Sequence, residues 1–141
     1  MIVYGDYECP YCAALDVRLA NAPLRMAFRH FPVSSAHPRA LPAASAAEAA
    51  RLQGAFWPMH DALFADQGRL EDPHLWERAE ALGLDVARFD ADRRSPEVAA
   101  LVREQFRGGV RAGVGTTPTI FFDGEKHGRP DEALWARMLG S

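Results

Sequence analysis

Gly5-Asp6-Tyr7-Glu8-Cys9-Pro10-Tyr11-Cys12 is the stretch on which the reading of this chain turns. Only two cysteines exist, and they stand three residues apart. A pair so close encloses almost no loop, and as a covalent staple it would constrain the unfolded chain very little. Its value is therefore chemical. Upstream, Met1 to Gly5 is apolar and β-prone. Downstream, Ala13, Ala14, Leu15, Val17, Leu19 and Ala20 form an apolar stripe at helical spacing. Strand, tight turn and helix follow, with Pro10 at the first helical position, where a missing N–H costs nothing.

A dithiol at the start of such a helix has a physical logic. The thiolate is the nucleophile, and the unpaired N–H groups and dipole of the helix terminus stabilise it. Cys9 is thus expected to be the exposed attacking sulfur with a lowered pKa, and Cys12, one turn further in, the sulfur that resolves a mixed disulfide. Asp6 and Glu8 place negative charge beside Cys9 and Tyr11 supplies no cation, so a moderate depression is expected.

The rest of the chain frames this unit. Leu24 to Phe31 alternates as a second strand, completing β-α-β. From about residue 41 to 113 the pattern is helical, with breaks at Gly54, Asp66 to Arg69, Gly83 to Leu84 and Ser95 to Pro96, and with Asp85 and Ser95 as helix caps. Strand character returns at Thr119 to Phe122, followed by the Asp123-Gly124 hairpin signal, a short strand at Lys126 to His127 and a helix from Asp131 to Leu139. The expected architecture is one α/β domain over 1–141, β-α-β then β-β-α, with an all-helical insertion. Thr117-Pro118 enters the late strand and is the place to expect a cis peptide.

Composition closes off other classes. With 141 residues, 48% hydrophobic and 25% charged, the chain can bury a core and is neither disordered nor fibrous. A net charge of -3 argues against a nucleic-acid partner. No apolar run reaches the ~18 residues of a membrane helix. No secretory leader is visible, so the expectation is cytoplasmic for the chain as written, or exported if a leader precedes it.

Several readings compete for the cysteines. They could be small buried hydrophobes, or half of a zinc site with two of His30, His37, His60, His74 and His127, although no histidine pair has finger spacing. No metal and no cofactor are expected. His30, His37 and His60 read as structural histidines, the Phe56, Trp57, His60, Leu63, Phe64 cluster as core, and Arg103, Arg107 and Arg111 as a solvated helix face.

The motif around Cys9, with Phe28-Arg29-His30-Phe31-Pro32, Phe56-Trp57-Pro58-Met59-His60-Asp61-Ala62-Leu63-Phe64 and Gly113-Val114-Gly115-Thr116-Thr117-Pro118-Thr119, resembles the DsbA-type disulfide oxidoreductases of the thioredoxin superfamily. The resemblance covers nearly the whole chain. It implies a thioredoxin-like fold and thiol:disulfide exchange with protein or peptide thiols, supported by an unidentified redox partner. It also implies that Cys9 attacks, Cys12 resolves, and Pro118 with Thr117 and Tyr11 holds substrate. Members often carry an acidic residue six positions before the first cysteine, and here that position is Val3. They also usually have a longer N-terminal segment. The alternatives are a glutathione-dependent transferase or isomerase, against which the intact pair argues, and a redox-inactive peptide-binding module using a groove between Trp57 and Pro118.

Overall fold

The computed structural model describes residues 1–140. In chain order the elements are β1 (Ile2–Gly5), α1 (Pro10–Leu19), β2 (Ala27–His30), α2 (Ala40–Arg51), α3 (Phe56–Ala65), α4 (Asp72–Ala81), α5 (Val86–Arg93), α6 (Pro96–Arg111), β3 (Thr119–Phe122), β4 (Glu125–His127) and α7 (Glu132–Met138). The sheet runs β2-β1-β3-β4, with β1 parallel to β2 and antiparallel to β3. This is the expected thioredoxin-like frame with a helical layer inserted between its halves. The second strand is shorter than its alternation suggested. Its ladder partner is β1, whose register begins at Ile2 opposite Ala27, so residues 24–26 lie outside the ladder.

β1 is covered on both faces, as expected of a strand next to a parallel neighbour. Val3 packs with Phe28, Ile120, Leu15 and both cysteines in the main core. Tyr4 packs on the other face with Phe31 and Val114. Gly109 of α6 lets that helix close on this second face, because a Cβ there would stand 2.8 Å from Phe31 Cδ1 and 3.0 Å from Tyr4 Cε1.

α2 is the axle of the helical layer. Ala43, Ala46, Ala47, Ala49 and Ala50 are fully buried, so the helix is small and apolar nearly all round, which lets neighbouring helices pack close. The expected breaks and caps are where the sequence put them: Asp85 accepts from Arg88 N–H, Ser95 from Val98 N–H, and Gly54 and Gly83 adopt positive φ. Of the aromatic cluster on α3, Phe56, His60, Leu63 and Phe64 are buried, but Trp57 is 43% exposed. It points out of the helix face that the others bury.

Candidate functional site

Cys9 is the N-cap of α1, with extended backbone angles, and Pro10 opens the helix. The loop before it is pinned from two sides. Asp6 accepts hydrogen bonds from the N–H groups of Glu8 (2.8 Å) and Val33 (2.9 Å) and pairs with His37 Nδ1 at 2.8 Å. Glu8 accepts from the N–H of Arg39 at 2.9 Å, and Gln67 donates to the carbonyls of Tyr7 and Cys9 at 2.8 and 3.0 Å. The segment joining β2 to α2 and the segment joining α3 to α4 thus position the dithiol.

Both thiols are free, and each cysteine is 3% exposed. The expectation of an exposed Cys9 is corrected: both residues are buried to the same extent. They differ in protonation. The Cys9 thiol is lowered to about 5, chiefly by a hydrogen bond from the Cys12 thiol; burial opposes this, and Thr117 and the N–H groups of Cys12 and Tyr11 add to it. Cys12 moves the other way, pushed far up by its hydrogen bond to Cys9, by burial and by the Cys9 charge. The depression is therefore deeper than the moderate one expected. The flanking carboxylates fail to prevent it because both are engaged by donors of their own.

The peptide bond Thr117-Pro118 is cis, and the Thr117 carbonyl lies 3.5 Å from Cys9 Sγ. In the thiol form that carbonyl accepts from Sγ–H, and in the thiolate form the Thr117 side chain is the lowering partner. Thr119 Oγ1 donates to the Thr116 carbonyl at 2.7 Å and ties the loop to β3. Beside it a hollow of about 190 Å³ is lined by Tyr11, Leu15, Arg18, Pro118, Pro130 and Trp135. Tyr11 is 53% exposed, with the Arg129 guanidinium 4.1 Å over its ring. All five candidate residues therefore converge, Thr117 on Cys9 and Tyr11 with Pro118 on the hollow. Trp57 does not line that hollow, so the expected groove between Trp57 and Pro118 is corrected to one between Tyr11, Pro118 and Trp135. A larger apolar concavity of about 630 Å³ lies between Phe31, Val33, Leu41 and Phe106 and includes neither cysteine.

His37, read from the sequence as a structural histidine, instead bonds the motif loop through Asp6. Its hydrogen bond to Asp6 raises its pKa first, and the charges of Asp6 and Cys9 raise it further, which favours the protonated ring. Only its place four residues after Val33 hints at this. His30 is a core histidine, bound to Glu48 at 2.7 Å and driven toward neutrality by burial. Among the described residues no cluster of three metal-ligating groups includes a cysteine; Asp16, His60 and Asp61 do converge. Both ring nitrogens of His60 are occupied there, by Tyr7 and Asp16, which suits a hydrogen-bond chain better than an ion.

Residues 1–138 match the family model of the DSBA-like thioredoxin domain. The chain belongs to that family. A thioredoxin-like oxidoreductase from Silicibacter pomeroyi DSS-3 superposes with a TM-score of 0.81 at 26% identity, covering 99% of this chain and 83% of that one. The thiol-disulfide exchange protein alpha-DsbA2 from Wolbachia pipientis superposes at 0.82 with 18% identity, over 99% and 78%, and so shares the fold of this DSBA-like domain. By sequence the chain is 42% identical over 135 residues to Na(+)/H(+) antiporter NhaA 1 of Salinispora arenicola, covering 90% of this chain and 20% of that protein. The Mycolicibacterium gilvum protein of the same name is 40% identical over 148 residues, covering 99% of this chain. The DSBA-like domain spans about a quarter of the latter's length, at 24%. No helix among the described residues is long and apolar enough to cross a membrane.

Proposed function

We propose that this DSBA-like domain is a thiol:disulfide oxidoreductase that exchanges disulfides with protein or peptide thiols through Cys9 and Cys12. The observation that carries the reading is the Cys9 and Cys12 pair at the start of α1 with the carbonyl of the cis Thr117-Pro118 bond 3.5 Å from Cys9 Sγ, where Cys9 is lowered to about 5 and Cys12 is raised far above its ordinary value. At pH 7 roughly 99% of Cys9 would be thiolate, against a few per cent of an ordinary thiol.

In the oxidising direction a substrate thiolate attacks Sγ of Cys9 in the Cys9–Cys12 disulfide. The S–S bond breaks, Cys12 leaves and takes a proton, and the mixed disulfide joins Cys9 to substrate. A second substrate thiolate attacks the substrate sulfur, forms the product disulfide and expels Cys9 as thiolate. Stabilising that thiolate stabilises the reduced enzyme, so the oxidising direction is favoured. An extended substrate segment lies across the Thr117-Pro118 loop, with a side chain in the hollow at Tyr11 and Pro118. A separate redox partner regenerates the disulfide.

The test is turbidity of insulin during reduction by dithiothreitol, with and without the protein, followed by Cys9→Ser. Catalysis in the wild type and its loss in Cys9→Ser support the reading. Equal turbidity with and without protein would leave the binding-module alternative.

A further inference from the structure

Cys12 poses a problem that Cys9 does not. Its thiol is held protonated, yet it must lose that proton to attack a mixed disulfide on Cys9, and regain it in the reverse step. A buried thiol of this kind needs a nearby base. The strand beside it offers none, since Val3 is apolar and 3% exposed.

A small hollow of about 10 Å³, open on one side, adjoins Cys12, walled by Val3, Met26, Phe28 and Phe64 and reaching Asp16. That is about the space of one water. Asp16 is the one ionisable group besides Cys12 on its wall. The two stand four residues apart on α1, and so on one face of the helix, one turn apart. Asp16 is also fixed in direction. Its Oδ1 is 2.9 Å from His60 Nε2, and His60 Nδ1 is 2.8 Å from the Tyr7 hydroxyl. An ionised carboxylate can only accept, so the Nε2 proton donates to Asp16. Burial, first, and the charges of Glu48 and Asp16 keep the Tyr7 phenol protonated. His60 is 1% exposed and the Asp16 side chain 19%, so Asp16 touches both the hollow and solvent.

We propose that Asp16 takes the proton from Cys12 during resolution and returns it in the reverse step, with His60 and Tyr7 as positioning residues for its carboxylate. The inference rests on the disulfide-exchange reading above. In the reducing direction the Cys12 S–H bond breaks and its proton passes to the Asp16 carboxylate, directly or through one water. The Cys12 thiolate forms the Cys9–Cys12 bond, and the substrate sulfur leaves with the electron pair of the broken mixed disulfide and takes a proton from solvent. The protonated Asp16 then releases its proton at its exposed edge. The charged and titratable groups around this path are Cys12 on α1 with Cys9 and Asp6 of the motif against it, His60 and Asp61 on α3 and Tyr7, with Glu48 and Arg51 of α2 acting at the Tyr7 end. Arg18, two residues on, is engaged by Glu132 and Trp135.

Reduced protein mixed with one equivalent of 5,5′-dithiobis(2-nitrobenzoate) separates the two steps, because Cys9 attack releases one thionitrobenzoate and resolution by Cys12 releases the second. In Asp16→Asn the second phase is expected to slow roughly a hundredfold at pH 7. The first phase should stay within about twofold. Asp16→Glu should restore much of the second phase, and Asp61→Asn should leave it unchanged. An unchanged second phase in Asp16→Asn, or an equal loss in Asp61→Asn, would overturn the inference. Should Asp16→Asn not fold, the wild-type pH profile decides. With Asp16 as base the second phase does not follow hydroxide concentration between pH 5 and 9, whereas a climb of about tenfold per pH unit across that range means that hydroxide does the work. A wild type that releases no second equivalent fails the disulfide-exchange reading itself, a result distinct from both.

Discussion

The Cys9 thiolate should make the reduced protein more stable as pH rises from 5 to 7, and the size follows from its shift. Its folded pKa is about 5, whereas an unfolded thiol titrates near ~8.5. A depressed folded value contributes stability that is complete above the unfolded pKa and is lost as pH falls through the folded one. Between about pH 5 and 7 the folded state ionises and the unfolded state does not, so the gain approaches ~1.4 kcal/mol per pH unit and totals about 2 to 3 kcal/mol. Two other groups have different windows. Cys12, raised in the fold, lowers stability only once pH passes the unfolded value. His37, also raised, stabilises below its unfolded pKa and loses this as pH rises through its folded value. Cys9→Ala removes the thiolate together with its pull on Cys12 and His37, so the difference between wild type and variant reads Cys9 and those couplings together, with Cys9 the largest part between pH 5 and 7. Urea unfolding under a phosphine reductant at pH 4.5, 5.5, 6.5 and 7.5 is the assay. The wild-type advantage over Cys9→Ala should widen by about 2 kcal/mol from pH 5 to 7. A difference that stays flat, or thiolate absorbance at 240 nm with a midpoint near 8, would refute the charge distribution argued for the two sulfurs.

Cys12→Ser should trap a mixed disulfide between Cys9 and substrate on non-reducing gels, because the internal resolving thiol is gone, whereas Cys9→Ser should trap none. Iodoacetamide at neutral pH should modify Cys9 before Cys12 even though both residues are 3% exposed, since the Cys9 thiol is lowered and the Cys12 thiol raised; mass mapping checks the order. Cys12→Ala removes the largest influence lowering Cys9 and should raise the Cys9 alkylation midpoint above 5 by more than His37→Gln does, a ranking read from the pH dependence of alkylation in each variant. Gly109→Ala should cost about 1 to 3 kcal/mol in urea unfolding, because its Cβ meets the Phe31 ring at 2.8 Å and Tyr4 at 3.0 Å with α6 already seated on the sheet.

What was legible in the sequence was local and periodic. Pro10 after Cys9, the Asp85 and Ser95 caps, the positive-φ glycines and the alternation of Phe28 and His30 each act within a few residues of themselves, so spacing alone placed them. The start of β2 was not legible, because strand length is set by the partner and β1 begins at Ile2. Nor was the depth of the Cys9 shift. Counting charges along Asp6-Tyr7-Glu8 suggested opposition, but Asp6 is answered by the Val33 N–H and His37, about 30 residues away, and Glu8 by the Arg39 N–H.

The same limit hid Asp16 and His60. Each reads as unremarkable in its own helix: a charged residue on α1, and a histidine in an aromatic stripe on α3. Their meaning arises where α3 lies against α1, which brings His60 Nε2 to 2.9 Å from Asp16 and its other nitrogen to 2.8 Å from Tyr7, itself two residues before Cys9. A histidine is costly to bury unless its ring nitrogens are satisfied, and here both are. The partners that satisfy it are a motif residue and the carboxylate one turn beyond Cys12. A core histidine and a part of the thiol chemistry are then not alternatives for His60. The hydrogen bonds that make its burial tolerable are the ones that hold an acceptor beside the buried sulfur, while Val3 leaves the strand side of that sulfur apolar.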